Sequence, residues 1–384
     1  MSEQTLPENP QIILTSYADE PTEAIEQNMI VQEQAAPNPD DLQSTDVIVE
    51  IRGVAVGWVD LLMTSGLYQH MPPPPYTPGM EYSGVVTWTG PDVSTEVKVG
   101  DRVMIDGFFV GPRTSGPYRQ YGGFATYAVA PASAVFPIPE GWGFAEGCNF
   151  LGSYETAYHC LVANGDLQAG ETVLIHGASG ATGLAAVHLA KLLGATVIAT
   201  GRSQDKLDVV KEQGADHVLS LKNESGDGVR RFRDDVKALT DGRGVDVVYD
   251  GVGGAISLES MRCVKFGARY LIVGWAATPF VAKGRTKGKE ANPNMLPTNL
   301  IMMKGLRVLG CPTIIATQKD PSIRKERLQR LMEWASQGKL KPHISHEFPF
   351  TSYQEAMFNK WKGKVIGGNV VWHPSANKGE ANGA

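Results

Sequence analysis

Apolar and polar positions follow two rhythms along this chain. Up to about residue 140 they come as short β-branched runs: DVIVEIRGVAV (46–56), EYSGVVTWTG (81–90) and DRVMIDGFFV (101–110), each bounded by Gly or Pro. Such runs predict strands joined by turns, hence an antiparallel, turn-rich β domain. MPPPPYTPG (71–79) fits neither a helix nor a central strand, because proline fixes φ and lacks an amide hydrogen. GFFVGPRTSGPYRQYGG (107–123) reads as a long loop, a rim or a lid.

From about 140 to 314 the rhythm changes. TVLIH (172–176), ATVIAT (195–200), HVLSL (217–221), VDVVYD (245–250), ARYLIVG (268–274) and LRVLG (306–310) are short apolar runs. Helix-like segments separate most of them: 184–193, 204–213, 230–240 and 256–264. Strands alternating with helices predict a parallel sheet covered on both faces, which binds ligands where the strand order reverses. LRVLG is expected to be its edge strand. Beyond 315 the chain reads as an amphipathic helix (324–338), a strand HEFPF (346–350), a helix (352–361) and a closing strand GGNVVW (367–372). The expected organisation is 1–139 with 315–384 as one domain and 140–314 as the other.

Composition excludes several classes. A chain of 384 residues has room for two or three domains. With 42% hydrophobic and 20% charged residues, wholesale disorder is excluded. The net charge of −6, without a long basic run, speaks against nucleic acid or an anionic membrane as partner. No stretch approaches the ~20 apolar residues of a membrane span. The start, MSEQTLPENPQ, has neither a basic nor an apolar signal region, so no signal peptide is expected. Residues 1–10 and 375–384 read as polar tails. The four cysteines, Cys148, Cys160, Cys263 and Cys311, are scattered, which fits a reducing, cytoplasmic location and leaves no four-cysteine zinc site.

The strongest local signal is TVLIHGASGATGLAAVHLAK (172–191), an apolar strand, a turn of small residues and an apolar helix. Ala178-x-Gly180-x-x-Gly183 is a variant of the dinucleotide fingerprint. Gly180 lets the backbone approach a pyrophosphate, and Gly183 lets the helix pack on the strand. Ala178, Ser179, Ala181 and Thr182 complete a loop at the helix N-terminus, where free N–H groups favour an anion. At the end of the next strand, where an NAD-preferring fold wants an acid, the chain reads Gly201-Arg202-Ser203-Gln204-Asp205-Lys206. Gly201, Arg202, Ser203 and Lys206 suit a 2′-phosphate, which points to NADPH; the other reading is a capping serine beside two solvated cations.

At this point the chain resembles the zinc-free quinone oxidoreductase branch of the medium-chain dehydrogenases/reductases. VAVGWVDLLMTSGLYQHMPPPPYTPGMEYSGVV (54–86), GGFATYAV (122–129), SYETAYHCLV (153–162), HGASGATG (176–183), GVDVVYDGVGG (244–254), GARYLIVGWAA (267–277) and GKVIGGNVV (363–371) carry the likeness in order. It spans nearly the whole chain except the tails, 107–121 and 278–295.

The resemblance implies an α/β protein: a Rossmann parallel-sheet cofactor domain plus a GroES-like, mainly-β catalytic domain. Zinc members carry a Cys near position 57 and a His within a G-H-E triplet, where this chain has Gly57 and Gly79-Met80-Glu81. No metal is therefore expected. Without a Lewis acid, hydride delivery to an acceptor that stabilises its own charge, an enone or a quinone, is the implied reaction. Tyr68 is the implied donor to the substrate oxygen, and Trp58, Met80 and Tyr82 the implied lining of the acceptor pocket. Thr156, Val252 and the turn Gly274-Trp275-Ala276 are implied cofactor contacts, while Asp60 reads as structural. The resemblance also implies a homodimer formed along LRVLG. The competing function is an NADPH-binding protein of low activity with a structural or binding role.

Overall fold

The computed structural model describes residues 6–223, 225, 228–279 and 294–376. The chain divides into two compact units, Met1–Gly152 with Lys341–Ala384, and Ser153–Leu340.

The second unit holds six parallel strands: β8 (Thr172–His176), β9 (Thr196–Gly201), β10 (His217–Ser220), β11 (Val245–Asp250), β12 (Val264–Ile272) and β13 (Arg307–Gly310). Their order is β10-β9-β8-β11-β12-β13, so the direction of winding reverses between β8 and β11 and β13 is an edge, as its sequence predicts. Every residue of β11 is buried, which explains why VDVVYD is almost continuously apolar: both faces of a central parallel strand meet helices. Val248, Leu174, Ile198 and Tyr270 lie in one core with Phe232, Val236 and Met261 from the helical side.

The first unit opens with a two-stranded antiparallel pair, β1 (Pro10–Leu14) and β2 (Met29–Glu33). Pro10 and Asn9 are thus not part of a loose tail: Asn9 N–H donates to the Glu33 carboxylate at 3.1 Å. The main sheet contains β3 (Asp46–Val54), β4 (Tyr82–Thr89), β5 (Arg102–Ile105), β6 (Tyr127–Pro131), β7 (Val135–Pro137), β14 (Ile344–Pro349) and β15 (Gly368–Trp372). The path is β14-β15-β3-β4-β5-β7, with β6 also on β3. It is antiparallel except for the β14–β15 pair. Gly84 permits the close β3–β4 approach, since a Cβ there would lie 2.1 Å from the Glu50 carbonyl.

The unit limits differ from 139/140 and 314/315. Phe144–Gly147 belongs to the first unit, where Ser83 Oγ donates to the Phe144 carbonyl at 2.6 Å. The helix Ser322–Ser336 belongs to the second, because its Arg324 and Arg327 both pair with buried Glu155, at 2.8 and 2.9 Å. The strand DRVMI stops at Ile105, where Asp106 turns the chain by accepting the Phe108 N–H. Most of the expected polar end, 377–384, and most of 278–295 lie outside the described residues.

Candidate functional site

In the second unit the turn 177–183 joins β8 to the helix Ala181–Leu192. Gly177 has φ +64°, a left-handed conformation that glycine adopts without cost. A Cβ at Gly183 would lie 2.3 Å from the Gly177 carbonyl, so only glycine lets the helix sit this close to the strand. Gly180 is exposed and serves as N-cap without a side-chain capping bond. Ser179, Ala181 and Thr182 are half-buried around it, while Ala178 is buried and donates its N–H to the Thr200 carbonyl at 3.2 Å. The result is a backbone cradle at the N-terminus of a twelve-residue helix, which suits an anion.

Asp250, the last residue of β11, ties this turn to two others. One carboxylate oxygen accepts the N–H groups of Val252 and Gly253 at 2.9 and 2.8 Å. The other accepts the hydroxyls of Ser257 and Tyr270 at 2.5 and 2.6 Å. Its carbonyl accepts Val273 and Gly274 N–H, and Ala276 and Ala277 bond back to Gly251 and Val252. Burial opposes the Asp250 charge, but His176 and these hydrogen bonds outweigh it and hold its pKa below the ordinary value. Val252 packs against Gly177, where an added Cβ would lie 3.1 Å from its Cγ2. Of the predicted contacts, Val252 is thus held by the Asp250 carboxylate, Gly274 by the Asp250 carbonyl and Ala276 by the Gly251 carbonyl, and Trp275 stands exposed beside them.

His176 sits opposite Asp250 in the β8–β11 register. Burial pushes its pKa down to about 4, so it is neutral near pH 7. Ser260 Oγ donates to the Ile256 carbonyl, so the Nε2 of His176, 2.6 Å away, is assigned as the N–H donor to Ser260. Nδ1 then accepts from the Thr200 hydroxyl at 2.7 Å. Thr200 thereby holds His176 by its hydroxyl and Ala178 by its carbonyl.

Just beyond Thr200, Gly201 packs beneath the next helix, where a Cβ would meet Leu207 at 3.2 Å. Ser203 is the N-cap of Gln204–Glu212, yet its hydroxyl makes no capping bond. Arg202 is exposed, and half-buried Lys206 has its pKa lowered by burial and by the Arg202 charge. Among the described residues no carboxylate forms an ion pair with either cation. Thr156 is half-buried in the helix Leu151–Tyr158.

In the first unit Asp60 is wholly buried and accepts the N–H groups of Gly57 and Gly79 at 2.9 and 3.2 Å, a structural role as expected. Burial raises its pKa to about 6 against those two hydrogen bonds and the charge of Arg113. Glu81 accepts the Gly152 N–H at 2.7 Å, and burial raises its pKa to about 7. Tyr68 is half-buried, edge-on to His70 with ring centroids 6.1 Å apart. Trp58 stacks on Trp361 at 4.9 Å, and Met80 is buried in the core with its Sδ-methyl end toward Gly57. Tyr82 corrects the expected lining. It has no accessible surface, and its hydroxyl donates to the Tyr121 carbonyl at 3.0 Å, so it is a core residue. A groove of about 570 Å³ lies elsewhere in this unit, between Gln11, Pro72 and Arg119, and none of the predicted site residues lines it.

Comparison with known proteins decides the family. Residues 43–140 match the alcohol dehydrogenase GroES-like domain and residues 181–334 the zinc-binding dehydrogenase domain. The quinone oxidoreductase-like protein 2 homolog of Nematostella vectensis is 32% identical over 333 residues, covering 85% of this chain and 82% of that one. The chain belongs to the quinone oxidoreductase branch of the medium-chain dehydrogenases/reductases. Quinone oxidoreductase-like protein 2 of Mus musculus is 31% identical over 89% of both chains. The crystal structure of a probable oxidoreductase from Mycobacterium abscessus, 26% identical, superposes with a TM-score of 0.75 over 95% of this chain and 99% of that one.

As a medium-chain oxidoreductase the protein takes a nicotinamide cofactor, and the cradle at 177–183 fits a dinucleotide. The zinc named in one domain description fits less well. Gly57 has no side chain, Met80 is packed in the core, and Asp60 and Glu81 accept backbone N–H groups. Among the described residues no group of three or more His, Cys, Asp or Glu is arranged to hold a metal ion, and no helix is long and apolar enough to cross a membrane. Two residues escaped the sequence reading of this oxidoreductase. Asp250 ends a strand as VDVVYD, where an acid after a buried run is a usable signal. Arg113 lies in a stretch that reads only as a loop, and only the fold brings it to Gly107 and Met80.

Proposed function

We propose that this protein is an NADPH-dependent, metal-independent reductase of quinones or of the activated C=C bond of α,β-unsaturated carbonyls. The observation that carries the reading is that Gly57 offers no side chain, Met80 is packed in the core, and the carboxyl groups of Asp60 and Glu81 are already committed to backbone donors. The names of the quinone oxidoreductase-like relatives support the acceptor class. Arg202 and Lys206 support NADPH, since a 2′-phosphate would relieve the repulsion between them.

Bound NADPH supplies the hydride, and the balance is acceptor + NADPH + H⁺ → reduced acceptor + NADP⁺. The remaining work falls to side chains and backbone. The 177–183 cradle and Arg202 hold the phosphates. Asp250 fixes the turns at Val252 and Gly274. Tyr68 donates a hydrogen bond to the acceptor oxygen, and it or water returns the proton. The deciding test is NADPH absorbance at fixed enzyme with a panel of quinones and enones, run with and without a strong chelator. Turnover unaffected by the chelator is expected. Tight NADPH binding without turnover of any acceptor would sink the reductase reading in favour of a binding role. The edge position of β13 further supports a homodimer that continues the sheet. Light scattering at micromolar concentration is expected to give twice the chain mass.

A further inference from the structure

The segment 107–121 is fixed, and it carries a cation to the acceptor half of the molecule. Gly111 N–H donates to the Tyr118 carbonyl at 3.0 Å. The Tyr118 hydroxyl donates to Asp46 at 2.6 Å, and the Tyr82 hydroxyl reaches the Tyr121 carbonyl at 3.0 Å. Between these anchors Arg113 turns back, and its Nη2 donates to the Gly107 carbonyl at 2.9 Å. Gly107 lies directly on the Gly79-Met80-Glu81 turn: a Cβ there would be 2.3 Å from the Met80 carbonyl and 3.7 Å from Arg113 Nη2. The guanidinium is half-buried at that point, and among the described residues it pairs with no carboxylate. Burial lowers the pKa of His70 and the Arg113 charge adds to that, while the same charge opposes the rise of Asp60 and Glu81. His70 in turn faces Tyr68 edge-on and has a buried Nε2 without a hydrogen-bond partner.

We propose that Arg113 binds the carbonyl oxygen of the acceptor and stabilises the negative charge that develops there. It thus supplies, from the segment 107–121, the positive charge that zinc members provide at the same turn. The inference rests on the reductase reading given above. When a hydride adds to the electron-poor carbon of an enone or quinone, the displaced electron pair moves to the oxygen. A guanidinium stays charged throughout the working pH range and offers several N–H donors beyond the one used on Gly107. Arg113 keeps its protons, and the proton that completes the product comes from Tyr68 or water. Fixed donors aimed at developing charge act mainly on the transition state.

The test is steady-state kinetics with NADPH and either 1,4-benzoquinone or 2-cyclohexen-1-one, on wild type, Arg113→Met, Arg113→Lys and Arg113→Ala. Melting temperature and NADPH affinity are measured on each. Arg113→Met is expected to lower kcat/KM by about 100-fold, chiefly through kcat, with NADPH affinity unchanged. Arg113→Lys is expected to keep an intermediate rate, and millimolar guanidinium to restore part of the activity of Arg113→Ala. An active wild type with an equally active Arg113→Met variant overturns the proposal alone. So does a parallel loss of melting temperature and NADPH affinity in all three variants, without guanidinium rescue. A wild type that reduces no acceptor removes the reductase reading, and this proposal falls with it.

Discussion

The cofactor half and the acceptor half of this oxidoreductase are built on opposite principles. Around 177–183 the groups proposed to meet the cofactor are backbone, and Asp250, His176 and Thr200 behind them are hydrogen-bonded within the fold. Around Gly57 and Met80 the carboxyl groups of Asp60 and Glu81 are taken by the N–H groups of Gly57, Gly79 and Gly152, and the groups proposed for chemistry are the side chains of Tyr68 and Arg113. A site made of backbone tolerates change in its neighbours' side chains but no added volume. A site made of side chains should respond to single functional groups.

The largest effect should come from volume in the cradle. Gly183→Val is expected to weaken NADPH binding by at least ~100-fold, about 2.7 kcal/mol, because its branches must displace backbone. Gly180→Ala, whose Cβ would stand 3.3 Å from the Gly177 carbonyl, should cost only a few-fold, in keeping with a small local shift. Fluorescence titration with NADPH measures both; equal losses would mean that the cradle is not read through its backbone. On the acceptor side, Tyr68→Phe should lower kcat and kcat/KM together by about 10–100-fold, as expected for a donor made mainly in the transition state. A silent Phe with a raised KM in Tyr68→Ala would instead make Tyr68 a wall.

Arg202→Ala should weaken NADPH about tenfold more than NADH if one charged contact is lost. Equal effects on both cofactors would remove the 2′-phosphate assignment.

The smallest effect concerns pH. Asp60 and Glu81, raised to about 6 and about 7, hold a proton in the folded state that the unfolded chain has already released. Their contribution is present in acid and is lost as pH rises through those values. His176 and His159, lowered to about 4, act oppositely: the unfolded chain takes up a proton near pH 6.5 that the folded chain refuses. Their contribution falls as pH drops from about 6.5 toward 4. His373, in the first unit and also lowered to about 4, partly offsets the two carboxyl groups there. Acidification from pH 7 to 5 should therefore loosen β8 and β11 more than β3 and β4, by a difference worth a few degrees in melting. Hydrogen exchange corrected for intrinsic rates reads this directly, and uniform loosening of both units would erase the contrast.

The same contrast decides what could be read from the sequence. The cradle was legible because strand, turn and helix are contiguous, and Gly180 and Gly183 both answer to Gly177 only a few residues away. The place of Arg202 and Lys206 after β9 was legible because they follow the second strand at a fixed distance. Tyr82 misled, because alternation in EYSGVV marks a strand but not which partner takes up its hydroxyl; Tyr121, thirty-nine residues on, does. Arg113 was invisible for the same reason, and the helix Ser322–Ser336 was given to the wrong unit because only Glu155 reveals what it packs against. The β1–β2 pair went unseen because its strands are five residues each and separated by the helix Pro21–Gln27.

The place of β15 has a consequence in time. It lies between β14 and β3, closing the sheet on Gly53 and Val54 and setting Asn369 against the Val56 N–H. During synthesis β3 and β4 leave the ribosome well before that partner exists, because the 188 residues 153–340 must be made first. At ~5–20 residues per second the wait is about 10–40 s. Over that interval the nascent first unit carries an open strand flank, whereas the second unit has its whole sequence in one uninterrupted stretch and can mature as soon as it emerges. The sequence order alone thus lets the second unit close before the first can.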